Sequence, residues 1–261
     1  MISQAEIDRL HMRVWKEGYG SISATEAGFI QSVISAYKPK TFLEIGTASG
    51  ISTGFIAKFM SQNEGERLIS IDLEKRFYVD RRRPTGFLAT KIHSGDMPEV
   101  DIVRGKDSTC VCEEYPEKKF DAAFIDANHQ HPWPTLDMIA VLPAINSHAV
   151  VIHHDLALYR EQNPVYGIGP KYLYDQMPST SRVVTSEHRR NIYYIKLGDS
   201  YSVLETPLVD SLYIPWRLRK PIPAETLSRF RTIIENYWGD DLLKAFDDSR
   251  SKFDHNVELI S

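Results

Sequence analysis

Two stretches of the chain end in side chains that could do chemistry. In "AVVIHHDL" four apolar residues run into His153, His154 and Asp155, and in "FDAAFIDANH" another apolar run ends at Asp126, with His129 three residues on. A buried strand has no use for imidazoles and carboxylates at its tip unless they hold something there. A carboxylate binds a cation or orients a base, and an imidazole that titrates near neutrality moves protons. If the two runs are neighbouring strands, about 4.8 Å apart, Asp126 and Asp155 converge on one point above the sheet. Successive strand residues face opposite sides, so His154 and Asp155 cannot both point there while the chain is extended, and it must leave the strand at one of them. Carboxylates held so close raise each other's pKa unless a cation or a protonated histidine lies between them. A divalent metal, an acid–histidine pair acting alone, and purely structural roles are the three readings open here. His153 reads as a buried, hydrogen-bonded strand residue, and His131, followed by Pro-Trp-Pro, as a loop or helix-start residue.

A third stretch, "FLEIGTASGISTGF", is a strand that ends in Glu44, turns through Gly46 and Gly50, and enters a helix near Ser52. Glycines permit the sharp turn and close ligand approach, and a helix N-terminus offers unpaired N–H donors. The loop departs from the dinucleotide fingerprint, because Ala48 stands where its middle glycine belongs, and no Gly-Lys-Ser/Thr follows for a triphosphate. The next apolar run closes on Asp72, whose position at a strand tip suits the two hydroxyls of a ribose. That acid fits NAD and adenosyl ligands alike. Glu44 favours the latter, since a carboxylate there would face a cationic amino-acid group rather than a pyrophosphate.

The elements that must position these residues are apolar runs alternating with helical patterns. "TFLEIG" (41–46), "RLISIDL" (67–73), "FDAAFIDA" (120–127) and "AVVIHHD" (149–155) are continuously apolar, as in a parallel sheet covered on both faces. Ser23 and Glu26 stand at capping-box spacing before a stripe of Phe29, Ile30, Val33, Ile34 and Tyr37. "TLDMIAVLP" predicts a short helix stopped by Pro143, and "SRVVTS" and "NIYYIKL" around "EHRR" predict an antiparallel hairpin that finishes the sheet. The predicted fold is α/β: a doubly wound, mostly parallel, seven-stranded Rossmann-like sheet with an antiparallel last strand. Residues 1–205 form the predicted catalytic domain. Residues 206–261 form a helical extension, with Leu227, Phe230, Ile234 and Tyr237 on one face and Gly239 as the stop, fit to cover a pocket or make a homodimer contact. The long segment after Asp155 reads as a lid or substrate wall, with Tyr159, Tyr166, Lys171 and Tyr174 as acceptor contacts.

Composition narrows the function class. The 261 residues are 42% hydrophobic and carry a net charge of −4, which argues against a nucleic-acid partner. One basic run, "KRFYVDRRR" (75–83), reads as a solvated patch or a site for an acidic ligand. Cys110 and Cys112 are too close for a disulfide and too few for zinc, which fits a reducing, cytoplasmic setting. The first residues are charged where a signal peptide needs an apolar core, and no apolar run is long enough for a membrane span.

In their order and spacing, "LEIGTASG", "SIDL", "RGKDS" and "FIDANH" resemble the class I S-adenosylmethionine-dependent methyltransferases, over roughly residues 23–200. "FIDANHQHPWPTLDMIAVLP" followed by "VVIHHDL" is similar to bacterial O-methyltransferases of sugars and other natural products. The resemblance implies that Glu44, Gly46, Ala48 and Gly50 cradle the methionine part, with Ser49 and Ser52 in the same loop. Asp72 and Leu73 would border the ribose, Asp107 and Ser108 the adenine, and Asp126 the sulfonium. It also implies that Asp126, His154 and Asp155 hold a divalent metal and that His129 is the base. His154 departs from the family, which has a carboxylate or amide there; magnesium prefers oxygen ligands, and an imidazole suits softer divalent ions.

The implied activity is methyl transfer from S-adenosylmethionine to a small-molecule hydroxyl. Two rivals remain: a nicotinamide-dependent oxidoreductase, which would need a Tyr-x-x-x-Lys pair that neither Tyr174 nor Tyr193 supplies, and a catalytically silent adenosyl-ligand-binding protein. A base methyltransferase would carry Asn/Asp-Pro-Pro-aromatic where this chain has "DANH".

Overall fold

The capping box forms as the spacing requires. In the computed structural model the Ser23 hydroxyl accepts from the Glu26 N–H at 3.2 Å, and the Glu26 carboxylate accepts from the Ser23 N–H at 2.6 Å. The structure describes residues 1–16, 19, 22–92, 98–116, 120–160, 164–186 and 189–254. They divide into two compact units, Met1–Asp107 with Lys119–Ala127, and Ser108–Lys118 with Asn128–Ser261.

The first unit contains helices α1 (Gln4–Val14), α2 (Ala24–Tyr37), α3 (Ile51–Ser61) and α4 (Ala89–Ile92), with strands β1 (Thr41–Ile45), β2 (Arg67–Asp72), β3 (Glu99–Arg104) and β4 (Phe120–Ile125). The strands are parallel, β1 pairing with both β2 and β4, and β2 with β3. The apolar runs at β1, β2 and β4 are buried, with Phe42, Leu43, Leu68, Ile69, Ala123 and Phe124 fully so. β3 was not among the predicted strands. Its sequence, EVDIVR, puts Glu99, Asp101 and Arg104 in an edge strand that is only partly buried, so no continuous apolar run marks it.

The second unit contains α5 (Cys110–Glu114), α6 (Trp133–Val141), β5 (Ile145–His153), α7 (Pro164–Gly167), α8 (Gly169–Gln176), β6 (Arg182–Val184), β7 (Tyr193–Lys196), α9 (Glu205–Leu212), α10 (Ala224–Tyr237) and α11 (Asp240–Phe253). β7 runs antiparallel to both β5 and β6, as the hairpin pattern predicts; residues 187–188 of its connection lie outside the described residues. The strand order of the whole sheet is β3-β2-β1-β4-β5-β7-β6, a Rossmann-like order with an antiparallel β7.

The C-terminal helices contribute to the core of this unit: Leu227, Phe230 and Ile234 are buried as the stripe predicts, along with Trp216 and Phe246. The Trp238 indole donates to the Ile139 carbonyl at 3.1 Å, and Thr135 and Ser211 share a hydroxyl hydrogen bond of 2.7 Å. Gly239 differs from its expected role, as it caps the start of α11 while Trp238 ends α10, and Tyr237 is exposed. Cys110 and Cys112 lie on helix α5 and are not joined in a disulfide. No helix among the described residues is long and apolar enough to cross a membrane.

Candidate active site

β1 ends in the buried Glu44, whose Oε2 accepts from the Thr53 and Ser70 hydroxyls, each at 2.5 Å. Burial pushes this carboxyl up to about 7, although the hydroxyls of Ser52, Ser70 and Thr53 act the other way. Oε1 is buried with no hydrogen-bond partner among the described residues. A buried carboxylate oxygen with nothing to accept from is the opening a cationic ligand group would fill.

After Glu44 the backbone enters the left-handed region three times, at Gly46 (φ 98°), Ala48 (φ 45°) and Gly50 (φ 88°). At Gly46 a Cβ would come 2.1 Å from the Asp126 carbonyl oxygen, so only glycine fits there. Gly50 caps α3 without a side-chain hydrogen bond, so the first helical N–H groups depend on other partners. Ala48 keeps the left-handed conformation of the glycine that the dinucleotide fingerprint would place there, at a cost of about 1 kcal/mol.

Asp72, the last residue of β2, holds this loop. Its Oδ2 accepts from the N–H groups of Thr47 (2.9 Å) and Ala48 (2.8 Å), and its Oδ1 from that of Glu74 (2.7 Å). Leu73 beside it is exposed, Ser49 and Ser52 are buried, and Asp126 follows β4 with its N–H donating to Ile45 at 2.8 Å. Glu44, the loop, Asp72 and Asp126 thus lie together in the first unit. Ser108 instead lies buried in the second, its hydroxyl donating to Asp137 at 2.6 Å.

The tip of β5 is built differently. The strand ends at His153, and Asp155 takes a left-handed φ of 59°, so the chain leaves the strand where the alternation rule requires it. With this turn His154 and Asp155 face each other, Nδ1 to Oδ1 at 3.3 Å, and His129 brings Nε2 to within 3.1 Å of Asp155 Oδ2. Asn191, which sequence reasoning missed, completes the set. Its Oδ1 accepts from the Ala157 N–H at 2.8 Å, which fixes the amide so that Nδ2 donates to Asp155 Oδ1 at 3.1 Å and faces His154 Nε2 at 3.4 Å. Burial acts to raise the Asp155 carboxyl, but the imidazoles of His154 and His129, with Asn191, hold it well below the usual carboxylate range. An ionised carboxylate flanked by imidazoles can orient a base or, with further donors, take up a divalent cation of the borderline class.

The other histidines have structural surroundings. His153 is buried, stacks on Tyr193 at 5.2 Å, faces the Met138 sulfur at 3.4 Å, and is pushed down to about 3 by burial. His131 is buried against the Ile214 carbonyl at 3.2 Å and is pushed down to about 4 by burial. Trp133 packs edge-on against Phe230, with ring centroids 6.2 Å apart. Of the lid residues, Lys171 pairs with Asp175, Tyr174 packs on Tyr193, and residues 161–163 lie outside the described residues. The basic run is paired among its own neighbours, Arg81 with Glu74 and both Arg82 and Arg83 with Asp80.

Residues 43–156 match the methyltransferase domain family. The fold is shared with an O-methyltransferase from Bacillus cereus solved with SAH, 18% identical over 74% of this chain and 90% of that one, at a TM-score of 0.51. TomG of Streptomyces achromogenes, an O-methyltransferase involved in tomaymycin synthesis and solved with SAM, is 18% identical over 75% of this chain and 89% of that one, at a TM-score of 0.52. A putative O-methyltransferase from Klebsiella pneumoniae is 16% identical over 76% and 90%, at a TM-score of 0.54. None of the curated proteins matches the sequence.

Proposed function

From the match of residues 43–156 to the methyltransferase domain family, we propose that this chain transfers the methyl group of S-adenosylmethionine to a hydroxyl of a small molecule. The observation that carries this reading is the 3.1 Å approach of His129 Nε2 to the half-buried Asp155 carboxylate. Solved proteins of the same fold hold SAM or SAH, which supports the choice of donor. Glu44, Gly46, Ala48, Ser49, Gly50, Ser52, Asp72 and Leu73 are proposed to hold that donor, with Glu44 Oε1 facing its ammonium group.

S-adenosylmethionine supplies a methyl group on a sulfonium, so the sulfur departs with the electron pair of the broken carbon–sulfur bond. The protein must align the acceptor oxygen with that bond and accept the hydroxyl proton. Asp155 orients His129 through Nε2–H, which makes Nδ1 the nitrogen that receives the proton. The ionised carboxylate then stabilises the imidazolium formed.

Asp126, His154 and Asp155 are proposed as ligands of a divalent ion. One imidazole and two carboxylates suit manganese, iron, cobalt or zinc better than magnesium. When bound, such an ion would hold the acceptor oxygen and lower its pKa.

The test is incubation of the full chain with methyl-labelled S-adenosylmethionine and a panel of sugars, phenols and polyketides, with and without EDTA. Labelled product is expected from at least one acceptor and is expected to fall on chelation. Donor binding with no product from any acceptor would leave a silent binding protein, and turnover indifferent to EDTA would remove the ion.

A further inference from the structure

We propose that Arg219 and Tyr166 form an anion-recognition site beside His129, and hence that the acceptor carries a carboxylate or a phosphate. This rests on the reading of His129 and Asp155 as the acceptor end of the site. Within the second unit, three segments are tied to the residues around them. The Arg219 N–H donates to the Gln130 side-chain oxygen at 2.6 Å, the Arg217 N–H to the His131 carbonyl at 2.9 Å, and the Gly169 N–H to the His129 carbonyl at 2.9 Å. The turn at Leu158–Arg160 starts from Asp155, whose carbonyl accepts from the Leu158 N–H at 3.2 Å. Gly167 lies so close to that turn that a Cβ would come 2.8 Å from Leu158 Cγ.

On this scaffold the Arg219 guanidinium lies over the Tyr166 ring, 4.4 Å from its centroid. Arg219 is exposed, and among the described residues no carboxylate pairs with it. Arg229 and Arg231, in the same unit, are paired with Glu225 and with Glu235 and Asp247. Arg160, at the neighbouring turn, is held differently: its Nε donates to the Tyr159 hydroxyl at 3.0 Å, with the guanidinium 5.4 Å from that ring's centroid, and it is exposed without a carboxylate partner among the described residues. An aromatic ring covers one face of a guanidinium and leaves the in-plane N–H groups directed outward, the edge that grips a carboxylate or phosphate with two hydrogen bonds. A neutral sugar or phenol would leave that edge unused.

The experiment is calorimetry on the full chain, saturated with S-adenosylhomocysteine, using two matched pairs of probes: protocatechuate against catechol, and glucose-6-phosphate against glucose. At least one charged probe is expected to bind about tenfold tighter than its neutral partner, and which pair shows the difference identifies the anion. Arg219→Gln is expected to shrink that gap to about twofold. Arg219→Lys, which keeps the charge without the fork, should fall between. Equal affinity within both pairs, no binding of any probe, or a gap that survives Arg219→Gln would overturn the proposal. Failure of the wild type to bind S-adenosylhomocysteine would instead count against the methyl-transfer reading, and unchanged binding of it by the variants reports that they are folded.

Discussion

The loop after β1 and the tip of β5 are built by opposite means. The loop is made of backbone and short side chains from one stretch of sequence, with Gly46, Ala48 and Gly50 in left-handed conformations and Asp72 clamping two of its amides. The carboxyl at the end of its strand, Glu44, is pushed up to about 7 by burial. The tip gathers His129, His154, Asp155 and Asn191 from segments far apart in the chain, and its acid is held ionised by imidazoles. A shape-reading loop suits a ligand that is always the same, whereas a cluster of titratable side chains suits the moving proton and the variable acceptor.

If this division of labour is right, substitutions at the tip should change turnover and those at the loop should change donor affinity. Asp155→Ala is expected to have the largest effect, lowering turnover about a thousandfold while S-adenosylhomocysteine affinity stays within about twofold, as labelled-methyl assays and calorimetry can show. Equal losses in both measurements would erase the distinction.

Glu44→Gln comes next, with donor affinity falling between roughly ten- and a hundredfold and stability moving the other way. Because the Glu44 carboxyl is raised from 4.5 to about 7, the unfolded chain ionises first as pH rises. Glu44 therefore lowers the stability of the ligand-free protein by about 3 kcal/mol as pH rises between about 4.5 and 7, while His131 and His153, which burial keeps neutral, act in the opposite sense over the same range. Urea unfolding at pH 5 and pH 8 should show the wild type losing about 3 kcal/mol relative to Glu44→Gln between the two, a difference in which the histidine contributions cancel.

Asn191→Ala should cost turnover about tenfold through looser placement of Asp155 and His154, with donor affinity unchanged in calorimetry. The smallest effect is expected from Ala48→Gly, which relieves about 1 kcal/mol of left-handed strain but adds roughly 0.4–1 kcal/mol of unfolded-chain entropy, so stability in urea unfolding should rise by at most about 0.5 kcal/mol.

The same contrast governs what the sequence reveals. The glycine loop, Glu44 and Asp72 are legible because a strand, a turn and a helix N-terminus leave their marks within a few residues of one another. The capping box of α2 and the apolar runs of β1, β2, β4 and β5 are legible for the same local reason. Asn191 left no such mark, because its role depends on the antiparallel return of β7 beside β5. Arg219 lies 90 residues beyond His129, in a Pro-rich stretch with no periodic pattern. β3 was hidden by the charges an edge strand tolerates, and no local pattern marks the hydrogen bond from the Ser108 hydroxyl to Asp137.

The left-handed turn at Asp155 has one more consequence, for which residues the position can accept. At φ 59° most side chains clash with their own backbone, and aspartate, asparagine and glycine are the ones that visit this region readily. Of these only aspartate carries charge. The backbone and the chemistry thus prescribe the same letter independently, and a saturation library at this codon should return aspartate almost alone under selection for activity. Asparagine and glycine should reappear once selection is for folding only.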